Sequence, residues 1–141
     1  CQPERGYPEL LSFLELEVIM AEDKILIIMT SGPDTPRRCA TPFFFATLAT
    51  AMDYEVTMFF TIDGTLLLKK GLAETVYPKA GGKSAAEFRQ EAIEAGVKMT
   101  ACSASLELHD LKPEDLIPEA KIVGGASMWQ MAEDSKTVLT F

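Results

Sequence analysis

The chain has 141 residues, 48% of them hydrophobic, which is long enough to bury the core of one compact α/β domain and short for two. Thirteen Lys and Arg residues against 21 Asp and Glu residues give a formal net charge of −8. This acidic balance argues against a protein that binds nucleic acid by neutralising phosphates, and equally against one that binds anionic membrane surfaces.

The apolar runs and the cysteines indicate the cellular compartment. The longest apolar runs, such as residues 25–29, are far shorter than the roughly 20 residues that cross a bilayer. Three widely spaced cysteines, Cys1, Cys39 and Cys102, form neither a disulfide framework nor a Cys-x-x-Cys metal pair. We therefore expect a soluble cytoplasmic protein with free thiols and with no metal or cofactor.

Residues 1–23 are interpreted as an N-terminal extension and residues 24–141 as the α/β domain. Within the extension, residues 10–18 carry apolar side chains at helical spacing, although residues 13–19 also tolerate a strand. The pattern predicts a short helix whose apolar side packs on the same chain or on a neighbouring subunit.

The first clear strand covers residues 24–30, a continuous β-branched run typical of a central strand buried on both faces. A loop rich in turn formers follows and ends in Arg37 and Arg38, directly before Cys39. These residues could bind an anion or a sulfur species at the start of the next helix. The alternative, which the local pattern favours, is an exposed basic loop with a cysteine that only packs.

The helix predicted over residues 38–52 is apolar nearly all round, and little except threonines and Pro42 interrupts its apolar residues. A surface helix with one covered side would show a single apolar stripe. The composition therefore predicts that more than one side of this helix is buried. Because the domain is so small, we expect another subunit to bury the second side.

The middle of the chain predicts two more strands and two helices. Residues 55–61 form the second predicted strand, and residues 66–71 a short helix closed by its glycine. The capping-box sequence at residues 84–87 begins a secure helix. This helix leads into the third predicted strand, residues 97–101, and directly on to Cys102.

Cys102 should lie where a strand ends and a helix begins. The carboxyl ends of parallel strands border a ligand crevice, and a following helix offers free N–H groups, so this position favours a reactive thiolate. Ser103 and Ser105 add short hydroxyl donors that would not block access to the sulfur. The alternative that Cys102 only packs stays open, because free cysteines are often buried.

The last part of the chain predicts a fourth strand with its glycine turn at residues 120–125, a helix at residues 126–133 and a final strand at residues 137–141. The glycine pair alone does not make a dinucleotide-binding fingerprint. Five strands separated by helical patterns predict an α/β fold: a mainly parallel five-stranded sheet with helices on both faces.

Parallel neighbours open their carboxyl ends on the same edge of a sheet. We therefore expect Thr30, Thr61 and Cys102 to lie along one edge. Cys39 could enter the same crevice from the first loop and act as a resolving or relay thiol. The two arginines before it would contribute if their loop reaches this edge.

The order of these motifs resembles the DsrE/DsrF-like family of small sulfur-handling proteins, which have the YchN-like fold. The resemblance rests on five blocks: residues 24–32, 59–71, 97–110, 121–126 and 137–141. The second block is most similar to the subgroup labelled peroxiredoxin-like. The resemblance implies a cytoplasmic homo-oligomer, a trimer or hexamer, whose cysteine after the third strand carries sulfur as a persulfide. Cys102 occupies that position.

The leading hypothesis is therefore a sulfur carrier or sulfurtransferase. A persulfide or thiosulfonate would form on Cys102 and pass to an acceptor thiol, with donor and acceptor proteins or small sulfur species as partners. One alternative is a non-catalytic oligomeric ligand-binding or scaffold protein. Another is a thiol peroxidase, although the Thr-x-x-Cys arrangement of true peroxiredoxins is absent.

Overall fold

A computed structural model describes residues 23–141, which form one sheet with helices on both of its faces. The strands of these residues are β1 (Lys24–Met29), β2 (Glu55–Phe60), β3 (Lys98–Cys102), β4 (Ala120–Val123) and β5 (Thr137–Thr140). The α-helices are α1 (Thr41–Ala51), α2 (Ala85–Glu94), α3 (Ser103–Leu108) and α4 (Gly125–Asp134). The helix predicted in the N-terminal extension lies outside the described residues.

The strand order is β4-β3-β2-β1-β5, and every pairing is parallel. The predicted five-stranded parallel sheet is therefore confirmed. In the register, Met29 pairs with Phe60 and Phe60 pairs with Ala101, so the carboxyl ends of β1, β2 and β3 are level. The residues expected to share this edge do so: Thr30, Thr61 and Cys102.

Successive side chains of a strand point to opposite faces of the sheet, and here the two faces are covered unequally. Ile27 and Met29 of β1 belong to a large core beneath α1 and α2, which we call the major face. Leu26 and Ile28 belong to a small cluster beneath α4, which we call the minor face. Cys102, on β3, belongs to the minor-face cluster.

Helix α1 begins three residues later than predicted, after a short 3-10 turn at Pro36–Arg38. Its inward side chains, such as Phe43, are fully buried on the major face. Its outward apolar side chains stay exposed: Phe44, Phe45, Leu48 and Met52. The described part of the chain thus covers one side of this helix, and association with a second copy stays a prediction.

Two local predictions have different outcomes. The capping box is confirmed, because the Ser84 N–H donates to the Glu87 carboxylate at 2.7 Å and the Glu87 N–H donates to the Ser84 hydroxyl at 3.3 Å. The short helix predicted at residues 66–71 is wrong in type and extent, because a 3-10 segment at Ile62–Leu68 takes its place. The backbone of this segment packs closely against β1 at Gly64, where a Cβ would overlap the carbonyl oxygen of Met29.

Candidate active site at the carboxyl edge of the sheet

Cys102 is the last residue of β3 and the N-cap of α3. It packs against Leu26 and Phe59 on the minor face and is only 9% exposed. The sulfur predicted to be open to the crevice is therefore mostly covered.

The polar side of this pocket presents hydrogen-bond donors to the sulfur of Cys102. They are the N–H groups of Ser105 and Ala104 and the hydroxyls of Ser105 and Thr61. Burial, the largest effect, raises the pKa of the Cys102 thiol, but these donors together outweigh it and hold the pKa below its usual value. The site thus stabilises a thiolate within a largely apolar pocket.

A second layer of contacts surrounds these donors. The Ser105 hydroxyl oxygen lies 3.1 Å from the Thr61 hydroxyl oxygen and accepts the Ile62 N–H at 2.8 Å. The Nε2 atom of His109 lies 3.1 Å from the Ile62 carbonyl oxygen and 3.3 Å from a carboxylate oxygen of Asp63. The end of β2 and one side of α3 are therefore joined by side-chain hydrogen bonds next to Cys102.

Sequence reasoning placed Thr61 at this edge, because neighbouring parallel strands bring their last residues together, but gave its hydroxyl no role beside the sulfur. It missed His109 as part of this site. His109 lies four residues after Ser105, which places both on one side of a helical turn. Of the two serines predicted here, Ser105 contacts the sulfur, whereas Ser103 is exposed at the first position of α3.

Cys39 lies in the core of the major face, on the opposite side of the sheet from Cys102. Its side chain is fully buried, and its thiol donates to the carbonyl oxygens of Gly32 and Thr35 at 3.3 and 3.5 Å. Burial raises the pKa of Cys39 to about 11. The structure does not bring the two thiols together, so a relay between them would require Cys39 to leave the core.

Arg37 and Arg38 are both exposed in the turn that follows β1. β2 separates β1 from β3, so the two strand ends lie about 10 Å apart across the sheet. The donors around the Cys102 sulfur come from the residue that follows β2 and from α3. The arginines thus stand at the same edge as Cys102 without belonging to its immediate pocket.

A groove of about 520 Å³ runs between α4 and the minor face. It reaches Val123, the residue that pairs with Cys102, and Met131, a member of the same cluster. Within residues 23–141, no group of three or more His, Cys, Asp or Glu side chains is placed to hold a metal ion. In the same residues, no helix has the length and apolar content needed to cross a bilayer.

Comparison with known proteins identifies the family. The model of the DsrE/DsrF-like family matches residues 23–141. The chain belongs to this family. One relative in it is the sulfur carrier protein DsrE2 of Allochromatium vinosum, which is 28% identical over 85% of this chain and 99% of its own length. An uncharacterized protein of Methanocaldococcus jannaschii is also 28% identical, over 84% of this chain and 99% of its own.

Solved structures support the fold assignment of this DsrE/DsrF-like protein. The ychN protein of E. coli superposes with a TM-score of 0.71 at 16% identity, covering 84% of this chain and 98% of that one. A protein of unknown function from Methanobacterium thermoautotrophicum gives a TM-score of 0.56 at 13% identity, covering 84% and 97%. At these identities the likeness concerns the fold alone, and the predicted YchN-like fold is confirmed.

Proposed function

We propose that this protein is a cytoplasmic sulfur carrier or sulfurtransferase in which Cys102 bears the transferred sulfur. The observation that carries the proposal is the place of Cys102 at the end of β3, with N–H and hydroxyl donors around its sulfur that lower its pKa in spite of its burial. A cysteine that only packs should have a raised pKa, as Cys39 does at about 11. Membership of the DsrE/DsrF-like family, and a relative named a sulfur carrier protein, support the same conclusion.

The transfer proceeds by two thiolate displacements that need no cofactor. The Cys102 thiolate attacks the outer sulfur of a donor persulfide, so that an S–S bond forms at Cys102 while the donor's S–S bond breaks and the donor leaves as a thiolate. An acceptor thiolate then attacks the outer sulfur and releases the Cys102 thiolate. With tetrathionate as donor, the first step leaves a thiosulfonate group on Cys102 and releases thiosulfate.

The surroundings of Cys102 fit these steps. Lowered basicity makes Cys102 a good leaving group in the second displacement as well as an ionised nucleophile in the first. We propose that Ser105 holds the sulfur and that the exposed Ser103 contacts the transferred group. Arg37 and Arg38, exposed at the same edge, would attract anionic donors or an acidic surface of a partner protein.

Intact-mass measurement after incubation with sulfide, polysulfide, thiosulfate and tetrathionate tests the proposal. With polysulfide, thiosulfate or tetrathionate, the parent protein should gain sulfur or thiosulfonate that a reducing agent removes, and Cys102→Ser should gain none. Sulfide alone should add nothing to either protein, because its sulfur is fully reduced and no oxidant is present. Cys39→Ser is the matched control and should retain most or all of the loading, because its thiol is buried on the other face. Cys1 lies outside the described residues, and Cys1→Ser should have no effect on the loading.

Other outcomes would assign a different function. Equal loading of the parent and of Cys102→Ser would remove the chemical basis of the proposal. Addition of oxygen to Cys102 with peroxide, and of no sulfur with any donor, would instead indicate a thiol peroxidase. A Cys102 that reacts with none of these compounds would indicate a binding or scaffold protein in which the cysteine only packs.

A further inference from the structure

Two side chains on one side of α3 form hydrogen bonds with the peptide groups on both sides of Ile62. The Ile62 N–H donates to the Ser105 hydroxyl oxygen at 2.8 Å, and the Ile62 carbonyl oxygen accepts from His109 Nε2 at 3.1 Å. Ser105 and His109 are four residues apart, so their side chains project from the same side of this helical turn. The two contacts together act as a clamp on a single residue.

The clamped residue has an unfavourable backbone conformation. Ile62 has φ of 54°, in the left-handed region that β-branched residues rarely adopt. Its side chain is 49% exposed, so burial of that side chain contributes little to holding the conformation. Backbone contacts hold this conformation instead. Next to the clamp, the backbone of Asp63 approaches Gly32 so closely that a Cβ at Gly32 would not fit.

The tautomer of His109 follows from its surroundings. Nε2 faces two oxygen atoms, the Ile62 carbonyl at 3.1 Å and the Asp63 carboxylate at 3.3 Å. Neither oxygen can donate a proton, so Nε2 carries the hydrogen. His109 therefore acts on Ile62 as a hydrogen-bond donor that the Asp63 carboxylate orients.

The clamp fixes the direction of the Ser105 hydroxyl. This group has one proton and two lone pairs, and the Ile62 N–H occupies one of the lone pairs. Its single proton is then directed away from Ile62, toward the Cys102 sulfur, and its second lone pair is left for the Thr61 hydroxyl 3.1 Å away. A hydroxyl that accepts one hydrogen bond also donates more strongly in the next, so the Ile62 amide strengthens the donation to sulfur.

We propose that His109 is a positioning residue: by holding the Ile62 carbonyl it keeps the Ile62 amide on Ser105, and thereby keeps the Ser105 hydroxyl donating to the Cys102 sulfur. The inference deepens the proposed function and rests on it for its biological meaning. Its physical content, the ionisation of Cys102, can be measured without any sulfur transfer.

The test is the pH profile of Cys102 alkylation by iodoacetamide, read by mass spectrometry of the Cys102 peptide. In His109→Leu the midpoint of the profile should move to higher pH, and the rate near neutral pH should fall about tenfold. His109→Gln should stay close to the parent, because a side-chain amide donates from nearly the same place without charge.

A second pair of variants separates positioning from general damage to the fold. Ile62→Gly removes the penalty of the positive φ, so the clamp is less needed. The effect of His109→Leu should therefore be much smaller in the Ile62→Gly background than in the parent, which is a coupling that independent damage would not produce. The double variant also serves if His109→Leu alone does not fold.

Three outcomes would overturn the inference: a His109→Leu profile that coincides with the parent's, a His109→Gln profile displaced as far as that of His109→Leu, or additive effects of His109→Leu and Ile62→Gly. The second would mean that charge or ring packing acts, and not the donated hydrogen bond. A displaced profile in a protein that loads no sulfur would support the clamp and reject the sulfur-carrier function, so the two failures are distinguishable.

Discussion

At the scale of single residues, Cys39 and Cys102 show what decides whether a covered cysteine is reactive. Both are at least nine-tenths buried, and burial raises the pKa of each. Cys39 is surrounded by carbonyl oxygens, which can only accept its proton. Cys102 is surrounded by N–H and hydroxyl donors, which favour the anion. Burial alone therefore sets the pKa of Cys39, whereas at Cys102 the donors together outweigh burial.

The raised pKa of Cys39 predicts a loss of stability at alkaline pH. Between its ordinary value of 9.0 and its folded value of about 11, the unfolded chain has lost the Cys39 proton while the folded chain retains it. Stability is fully present below pH 9 and falls as the pH rises toward 11, by about 2 kcal/mol. Urea unfolding at a series of pH values measures this loss.

Cys39→Ala is the control for that measurement. It lacks the titrating thiol but keeps the tyrosines and lysines that also ionise in this pH range, so its stability should fall less steeply than the parent's. It should also be less stable than the parent at neutral pH, because it leaves a small cavity in the core. Parallel curves for the two proteins would contradict the raised pKa of Cys39.

At the scale of elements, the 3-10 segment Ile62–Leu68 holds the site together, and it depends on Gly64. A Cβ at Gly64 would overlap the Met29 carbonyl oxygen, which belongs to the backbone and cannot move aside cheaply. Gly64→Ala should therefore destabilise the protein by about 2 kcal/mol or more. Because the end of β2 would shift, alkylation of Cys102 should also slow. Thermal unfolding and alkylation rates measure both effects.

Gly125→Ala is the matched control, since a Cβ at Gly125 meets nothing within 4 Å and the residue begins α4. Alanine has the higher helix propensity, so this variant should be neutral or more stable by up to about 1 kcal/mol. Equal destabilisation by the two substitutions would show that the close approach at Gly64 is not what limits this position.

The sequence predicted those elements whose signal is local. The strand at residues 24–30 and the capping box at Ser84 and Glu87 follow from side-chain spacing within a few residues, and both were found. The 3-10 segment did not follow, because its conformation depends on contacts with β1 and α3 that are distant in sequence. The positive φ of Ile62 contradicts the residue's own preference, so no local pattern could have indicated it.

At the scale of the whole molecule, the sequence predicted the parallel sheet and the edge that carries Cys102. It did not predict on which face of the sheet each cysteine lies. Alternating strands and helices predict a parallel sheet, and parallel strands place their ends together, which located Cys102 correctly. The same reasoning left two places open for Cys39, the crevice and the core, because its loop follows a parallel strand as Cys102 does. It could not show that the loop after β1 turns under α1, which places Cys39 on the major face.

The outer surface of the molecule predicts self-association. The exposed apolar side of α1 continues onto the end of the sheet, where the rings of Phe45 and Phe141 meet edge-on at 6.0 Å. β5 is one of the two edge strands, and its Val138 and Leu139 are about two-fifths exposed. An apolar helix side beside an open strand edge is typical of a surface that a second copy covers. Light scattering at micromolar concentration should therefore show a homo-oligomer.

Phe44→Glu should dissociate this oligomer without unfolding its subunits. Phe44 is 51% exposed within one subunit, so the new carboxylate stays hydrated in the monomer but would be buried without a partner in the assembly. Leu108→Glu is the control, because Leu108 is 61% exposed at the end of α3, away from α1 and β5, and should remain oligomeric. A parent protein that is monomeric at micromolar concentration would refute the predicted self-association.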